Sequence, residues 1–231
     1  MLRHSTDSFA TLNDKIIHCE RCPRLRTWCE LVGSEKRKSF SADEYWKKPV
    51  PNFGDPNATC LIVGLAPAVH GGNRTGRMFT GDRSGDWLFR ALHKAGVANQ
   101  AESHSKEDGL SLTGVLITAC VHCAPPDNKP AQEEILQCRN FLLETLELRQ
   151  WKSILCLGGI AWDQTFKAVR LISTGSITKP KFAHLQTTRL DCGTKIVGSY
   201  HPSQQNTFTG RLTEPMFDAA IREFLSQKAT D

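Results

Sequence analysis

Short apolar runs alternate along this chain with longer stretches of helical period, and that alternation sets the fold class. Residues 60–63, 114–121, 153–157 and 195–200 are apolar, short and bounded by glycine or polar turns, as buried strands are. Helical periodicity fills the gaps between them. Residues 84–95 open on Ser84 and close before Gly96; residues 131–148 follow Pro130 and carry Glu133 and Glu134 in the first turn, where the helix dipole favours negative charge. Further helices are predicted over 160–169 and 213–226, and one near 14–30. Strands alternating with helices of this length predict an α/β fold whose mainly parallel sheet is covered by helices on both faces. Residues 97–111 and 172–189 are polar and read as surface loops. The first fifty residues are rich in charge and weakly periodic, which predicts an N-terminal layer docked on the sheet.

Composition narrows the class. A chain of 231 residues, 39% hydrophobic and 23% charged, can bury a full core and sits near the upper limit of one domain. One domain over 1–231 is expected, with 1–55 as its N-terminal layer. The formal net charge of +5 is compatible with a phosphate-rich partner without requiring one. Met1-Leu2-Arg3-His4-Ser5 lacks the apolar core of an export signal, and no run is long enough to span a bilayer. A cytoplasmic protein without a membrane partner is expected. In that setting nine cysteines read as metal ligands plus buried thiols rather than a disulfide framework.

Cys19 and Cys22, with two residues between them, lie in the N-terminal layer, and Cys123 and Cys138 flank the loop and helix after the second strand. Four thiolates from these two segments would close one tetrahedral site and staple the layer to the sheet; the competing reading is unrelated buried thiols. Spacing does not separate zinc from an iron–sulfur cluster, because both accept four thiolates. Cys29, Cys60, Cys120, Cys156 and Cys192 read as ordinary buried thiols.

Two loops carry the candidate chemistry. Gly64-Leu65-Ala66-Pro67-Ala68-Val69-His70-Gly71 follows the first strand and continues through Arg77-Met78-Phe79-Thr80-Gly81-Asp82; Tyr200-His201-Pro202-Ser203-Gln204-Gln205-Asn206 follows the last. An open α/β sheet places its ligands at such strand ends. The glycines let the first loop approach a ligand closely. Phe79 is either a stacking platform or core, Asp82 either a carboxylate of the site or the cap of the helix at Ser84. His201 is expected to point out of the sheet's carboxyl edge. Arg74, Arg77, Arg83, Lys129 and Arg211 are candidate phosphate contacts, or a solvated charged face.

The first loop with Asn73-Arg74-Thr75-Gly76-Arg77 and Phe79-Thr80-Gly81-Asp82, then Cys123-Ala124-Pro125-Pro126 with Asn128-Lys129-Pro130, then His201 to Thr207 and Thr209-Gly210-Arg211-Leu212-Thr213, fall in one order. Together they closely resemble the type-5, or B-type, uracil-DNA glycosylases, from about Cys19 to the last helix. The resemblance implies a three-layer α/β/α fold around a four-stranded parallel sheet, and one structural 4Fe–4S cluster on Cys19, Cys22, Cys123 and Cys138. It implies double-stranded DNA as the partner and a base excised by hydrolysis to leave an abasic site; a monomer is expected.

Departures from the wider superfamily sharpen the site. Ala66 stands where the best-known uracil glycosylases carry a water-activating Asp, Leu65 where type-4 enzymes carry a Glu, and Ala119 where type-4 enzymes carry a uracil-reading Asn. The resemblance implies Asp82 as the catalytic carboxylate instead; the negative charge that must build on the departing base makes His201 the expected donor to its O2. Phe79 is expected to stack on the flipped base, Asn128 to read it, Asn206 to orient His201 or hold the nucleotide, and Gln205 to help fill the vacated stack. Gly64, Ala66 and Ala68 are expected to border the base, and Ala68, smaller than the Tyr of strict enzymes, to admit hypoxanthine and, more slowly, mispaired thymine. A strict type-4-like uracil enzyme, a cluster-bearing electron-transfer protein and a noncatalytic nucleic-acid binder are the competing readings.

Overall fold

The computed structural model describes residues 5–226; residues 1–4, which bear on the export-signal reading, lie outside them. Helices α1 (Ser5–Ile17) and α2 (Pro23–Glu35) precede a two-residue strand, β1 (Phe53–Gly54). Strand β2 (Cys60–Gly64) leads through a short helix, α3 (Gly72–Thr75), into α4 (Arg83–Lys94) and β3 (Val115–Ala119). There follow α5 (Gln132–Glu147), β4 (Ser153–Leu157), α6 (Gly159–Ile172), β5 (Thr187–Arg189), β6 (Lys195–Ser199), α7 (Gln204–Phe208) and α8 (Glu214–Leu225).

The strands form one sheet in the order β1-β3-β2-β4-β6-β5. Its middle four strands are those predicted, and they are mutually parallel. The expected four-stranded sheet is nevertheless six-stranded, because antiparallel β1 and β5 extend it at either edge. Both additions are edge strands of two or three residues, too short for a period-2 pattern to register. Thr187-Thr188-Arg189 is also polar, and so merges in sequence with the loop around it.

The pleat sorts the core into two faces. Ile62 packs on one side with Ile117, Leu155 and Val197 beneath Leu88 and Phe89 of α4 and Phe217 and Phe224 of α8. Its neighbours Leu61 and Val63 pack on the other, with Ile154 and Ile196 beneath Leu142 of α5 and Trp162 and Phe166 of α6. Each such buried side chain contributes roughly 1.5–3 kcal/mol relative to exposure. The sheet is thereby the middle layer of three.

The helix predicted near 14–30 is two helices. Pro23 occupies the first turn of α2, where its missing N–H is harmless, and the residue before a proline resists helical geometry. The break puts Cys19 and Cys22 on the connecting turn. Leu12, Ile16, Leu25 and Cys29 then pack against Val121, Ile135 and Phe141. Of the cysteines read as buried thiols, Cys192 is exposed and Cys60 half-buried; Cys192 sits in the turn between β5 and β6, beyond the reach of either core face.

Position of the site follows from topology. The chain visits β2, then β3 on one side of it, then β4 on the other, so its direction of travel reverses at β2. In an open α/β sheet the crevice beyond the strand ends at such a reversal is where ligands bind.

Candidate active site

A cavity of about 260 Å³ opens at the carboxyl ends of β4 and β6, lined by Leu157, Gly158, Phe182, Tyr200, His201, Asn206 and Arg211 among others, with Leu65 from the end of β2. The last loop builds its polar wall. Ser203 caps α7 by accepting from the Asn206 backbone N–H, and the Asn206 side-chain amide donates to the His201 carbonyl at 2.8 Å. Asn206 thus fixes the backbone that carries the histidine, one of the two roles expected of it. Burial pushes the His201 imidazole down to about 4, so the ring is neutral at physiological pH. Gly158, at φ 96°, lies across from it: a Cβ there would come 3.5 Å from the His201 Cβ.

Phe79 joins this wall to the first loop. Its ring lies nearly parallel to the His201 ring, at 29° with 6.1 Å between centroids. Gly64 makes the approach possible, since a Cβ at the end of β2 would come 3.0 Å from the Phe79 ring. The Phe79 backbone sits in the left-handed region at φ 54°, a conformation unfavourable for an aromatic residue and typical of functional turns. Held in this way, the ring is a platform facing the histidine.

Asp82 is the helix cap that its position suggested. Its Oδ1 accepts from the Gly85 N–H at 3.0 Å, and Gly85 has no room for a side chain because the Phe79 carbonyl lies where a Cβ would stand. Gly71 from the first loop packs against the other carboxylate oxygen, where a Cβ would come within 2.1 Å of Oδ2. Enclosure by this backbone raises the carboxyl from its ordinary 3.8 to about 6; the N–H bonds from Gly85 and Ser84 oppose the shift and Asp86 adds to it. Cap and tuned carboxylate are one residue.

The remaining candidates divide. Arg211 lines the cavity with its guanidinium 4.6 Å over the Tyr200 ring, and exposed Arg83 stacks over Phe208, which is 67% exposed. Lys129 and Asn128 are exposed on a turn where Asn128 takes φ 55°, and neither lines the cavity. Ala68 is half-buried and accepts backbone bonds from Gly71 and Asn73. Ala66 packs against the cysteine-bearing core between the N-terminal helices and α5. The expected phosphate contact at Arg77 is corrected: only 4% exposed, it pairs with Asp108 at 2.7 Å and donates to Thr80 and Ser103. A guanidinium so enclosed cannot reach a phosphate. Sequence reasoning missed Phe182 and the Gly158-Gly159 pair, and gave Tyr200, at the head of the last loop, no role of its own. The glycine pair at a strand end was a usable signal.

Cys19, Cys22, Cys123 and Cys138 line one small cavity together with Arg21 and His122, and Arg21 donates to the Cys19 sulfur at 3.2 Å. His122 is buried; its Nδ1 donates to the Val50 carbonyl at 2.7 Å while Nε2 has no partner. Among the described residues, no three His, Cys, Asp or Glu side chains stand close enough to hold a single metal ion. The four thiols nevertheless share one cavity, and the turn before Pro23 supplies two of them. Among the described residues, no helix is long and apolar enough to cross a membrane.

Comparison with known proteins bears on this geometry. Residues 51–225 match the family model described as the uracil DNA glycosylase superfamily. The type-5 uracil-DNA glycosylase of Mycobacterium leprae is 46% identical over 225 residues, 96% of this chain and 97% of that protein. The type-5 uracil-DNA glycosylase of Mycobacterium bovis is 48% identical over 94% of this chain and 80% of its own, and that of Thermus thermophilus 44% identical over 89% and 91%.

Proposed function

Starting from a chain that belongs to the uracil-DNA glycosylase superfamily, and within it to the type-5 enzymes, we propose how its residues remove uracil from DNA and which other bases they accept. The observation that carries the proposal is a half-buried, proton-avid carboxylate on the first loop and, stacked on the Phe79 ring of that same loop, a neutral histidine from the last. Glycosidic cleavage builds positive charge on the sugar and negative charge on the departing base. Asp82, ionised, stabilises the oxocarbenium-like sugar and orients the attacking water. His201, neutral, donates a hydrogen bond to the base's O2, which suits an anion that must not be protonated too early. Removing one such donor lowers the rate on the order of 10²–10³.

The target base reaches this site only outside the duplex. Unstacking costs a few kcal/mol, and stacking on Phe79, worth about 1–3 kcal/mol per base, offsets much of it. Arg211, with Lys129 and Arg83, holds the phosphates of a duplex. Ala68 leaves the base edge open, and hypoxanthine shares uracil's order of carbonyl and N–H on the pairing edge, so both are substrates, with mispaired thymine slower. The Asn128 amide on its exposed turn is the group proposed to read that edge. Cys19, Cys22, Cys123 and Cys138 hold a 4Fe–4S cluster whose role is to staple the N-terminal helices to the sheet; no catalytic step uses it.

The test is single-turnover excision from duplexes carrying one uracil or one hypoxanthine, with Asp82→Asn and His201→Ala alongside wild type. Both variants should bind duplex normally and lose most of the rate. A variant that keeps its full rate removes that residue from the mechanism, and release of uracil without hypoxanthine narrows the substrate class.

A further inference from the structure

Arg74, on α3, was a candidate for DNA phosphate, yet each arm of its guanidinium is engaged inside the protein. Nε donates to the His70 carbonyl at 2.7 Å, Nη2 to the Gly81 carbonyl at 3.3 Å and Nη1 to the Asp43 carboxylate at 2.6 Å. The ring of Phe40 covers its face, with the guanidinium carbon 4.2 Å from the ring centroid. The two carbonyls belong to the peptide groups immediately before Gly71 and before Asp82. Gly71 is the residue whose backbone meets the Asp82 carboxylate, and Gly81 accepts no side chain because a Cβ would come 2.2 Å from Arg74 Nη2. The cover over Arg74 is itself anchored: the Tyr45 hydroxyl lies 2.9 Å from Nδ1 of His70, and the Phe40 ring faces the His70 ring.

We infer that Arg74 is a positioning residue for Asp82, clamping the two peptide groups that set where the carboxylate stands, and is not a contact for DNA phosphate. The inference rests on the proposed role of Asp82. Planar, multi-armed donation to two carbonyls and a carboxylate is work for a guanidinium; a lysine ammonium supplies the charge without the fork. Charge matters as well as shape. The charged groups that bear on Asp82 are Asp86 in the first turn of α4, which favours its protonated form, and Arg74, which favours its ionised form. Asp43, bound to Arg74, offsets the cation, and burial together with nearby Arg37 and Arg74 lowers the pKa of His70 in the first loop. The pair Arg74–Asp43 therefore fixes position while leaving the carboxyl proton-avid.

The experiment compares Arg74→Ala, Arg74→Lys and Asp43→Asn with wild type by single-turnover rate against pH, and by affinity for undamaged duplex against salt. Misplacing a reacting group by an ångström costs on the order of 10²-fold, so Arg74→Ala should lose between about ten- and a hundred-fold in rate. Its acid limb should move to higher pH, and that of Asp43→Asn to lower pH, while duplex affinity and its salt slope stay at wild-type values. Arg74→Lys should lose rate without moving the limb; should the alanine variant melt below assay temperature, the lysine variant and Asp43→Asn carry the test. In an Asp82→Asn background, Arg74→Ala should cost little more, because the group it positions is gone. A wild-type rate and limb in the Arg74 variants, or weaker duplex binding with a salt slope lower by about 0.9, the value for one phosphate, would overturn the inference. Full activity of Asp82→Asn alone would instead overturn the role of Asp82.

Discussion

At the scale of the residue, one carboxylate does two jobs with opposite demands. As a cap Asp82 needs only an oxygen facing the Gly85 N–H, which asparagine supplies equally well. As a group whose folded pKa is near 6 against an ordinary 3.8, it binds a proton more readily in the folded chain than in the unfolded one. Between about pH 4 and 6 the native state carries the extra proton, so this group's contribution to stability falls as pH rises through that window. Asp82→Asn should therefore melt at a higher temperature than wild type above pH 6 and at the same temperature below about pH 4, measured by thermal denaturation across pH. For His201 the sign reverses: its depressed pKa favours the neutral fold, so its contribution is lost as pH falls from 6.5 towards 4. Gly71→Ala supplies the steric counterpart. A methyl group 2.1 Å from the Asp82 oxygen must displace it, and excision should fall on the order of 10²-fold with duplex affinity retained.

At the scale of the element, the chain shows what a sequence reveals and what it hides. The four central strands and the helices between them were legible because burial on both faces demands apolar runs of strand length. The capping role of Asp82 was legible too, from its place before a helix. Arg77 was not: its partner Asp108 lies 31 residues on, in a polar stretch that reads as loop, and only the fold brings them together. Arg74 was hidden for a different reason, since its partners include backbone carbonyls that no sequence pattern marks. Paired with Arg77, Asp108 is held well below the usual carboxylate range, so the stability it contributes is present at neutral pH and lost only in strong acid. Without Arg77 the half-buried Asp108 keeps only its backbone N–H donors from His104, Ser105 and Leu110. Arg77→Ala should lower stability by about 1.5–3 kcal/mol in denaturant titrations, while the salt slope of DNA binding is unchanged.

At the scale of the whole molecule, the site is assembled from loops at one edge of the sheet, and the N-terminal helices reach the same edge from outside. The Cys19–Cys22 turn brings two thiols to the cavity shared with Cys123 and Cys138. Protein purified without air should be brown with four irons per cluster, and Cys123→Ala should lose colour and thermal stability together; stoichiometric zinc without iron would contradict this. The central claim is that Asp82 and His201 drive hydrolysis with water, not an amine, as the nucleophile. The most direct test is to incubate excess enzyme with a duplex bearing one uracil and to analyse both the strand and the protein. Free uracil, an intact strand with an abasic site, and no enzyme trapped on DNA by borohydride are the predicted results, with Asp82→Asn releasing uracil at least about a hundred-fold more slowly. Borohydride-trapped enzyme, or an Asp82→Asn variant as fast as wild type, would contradict it.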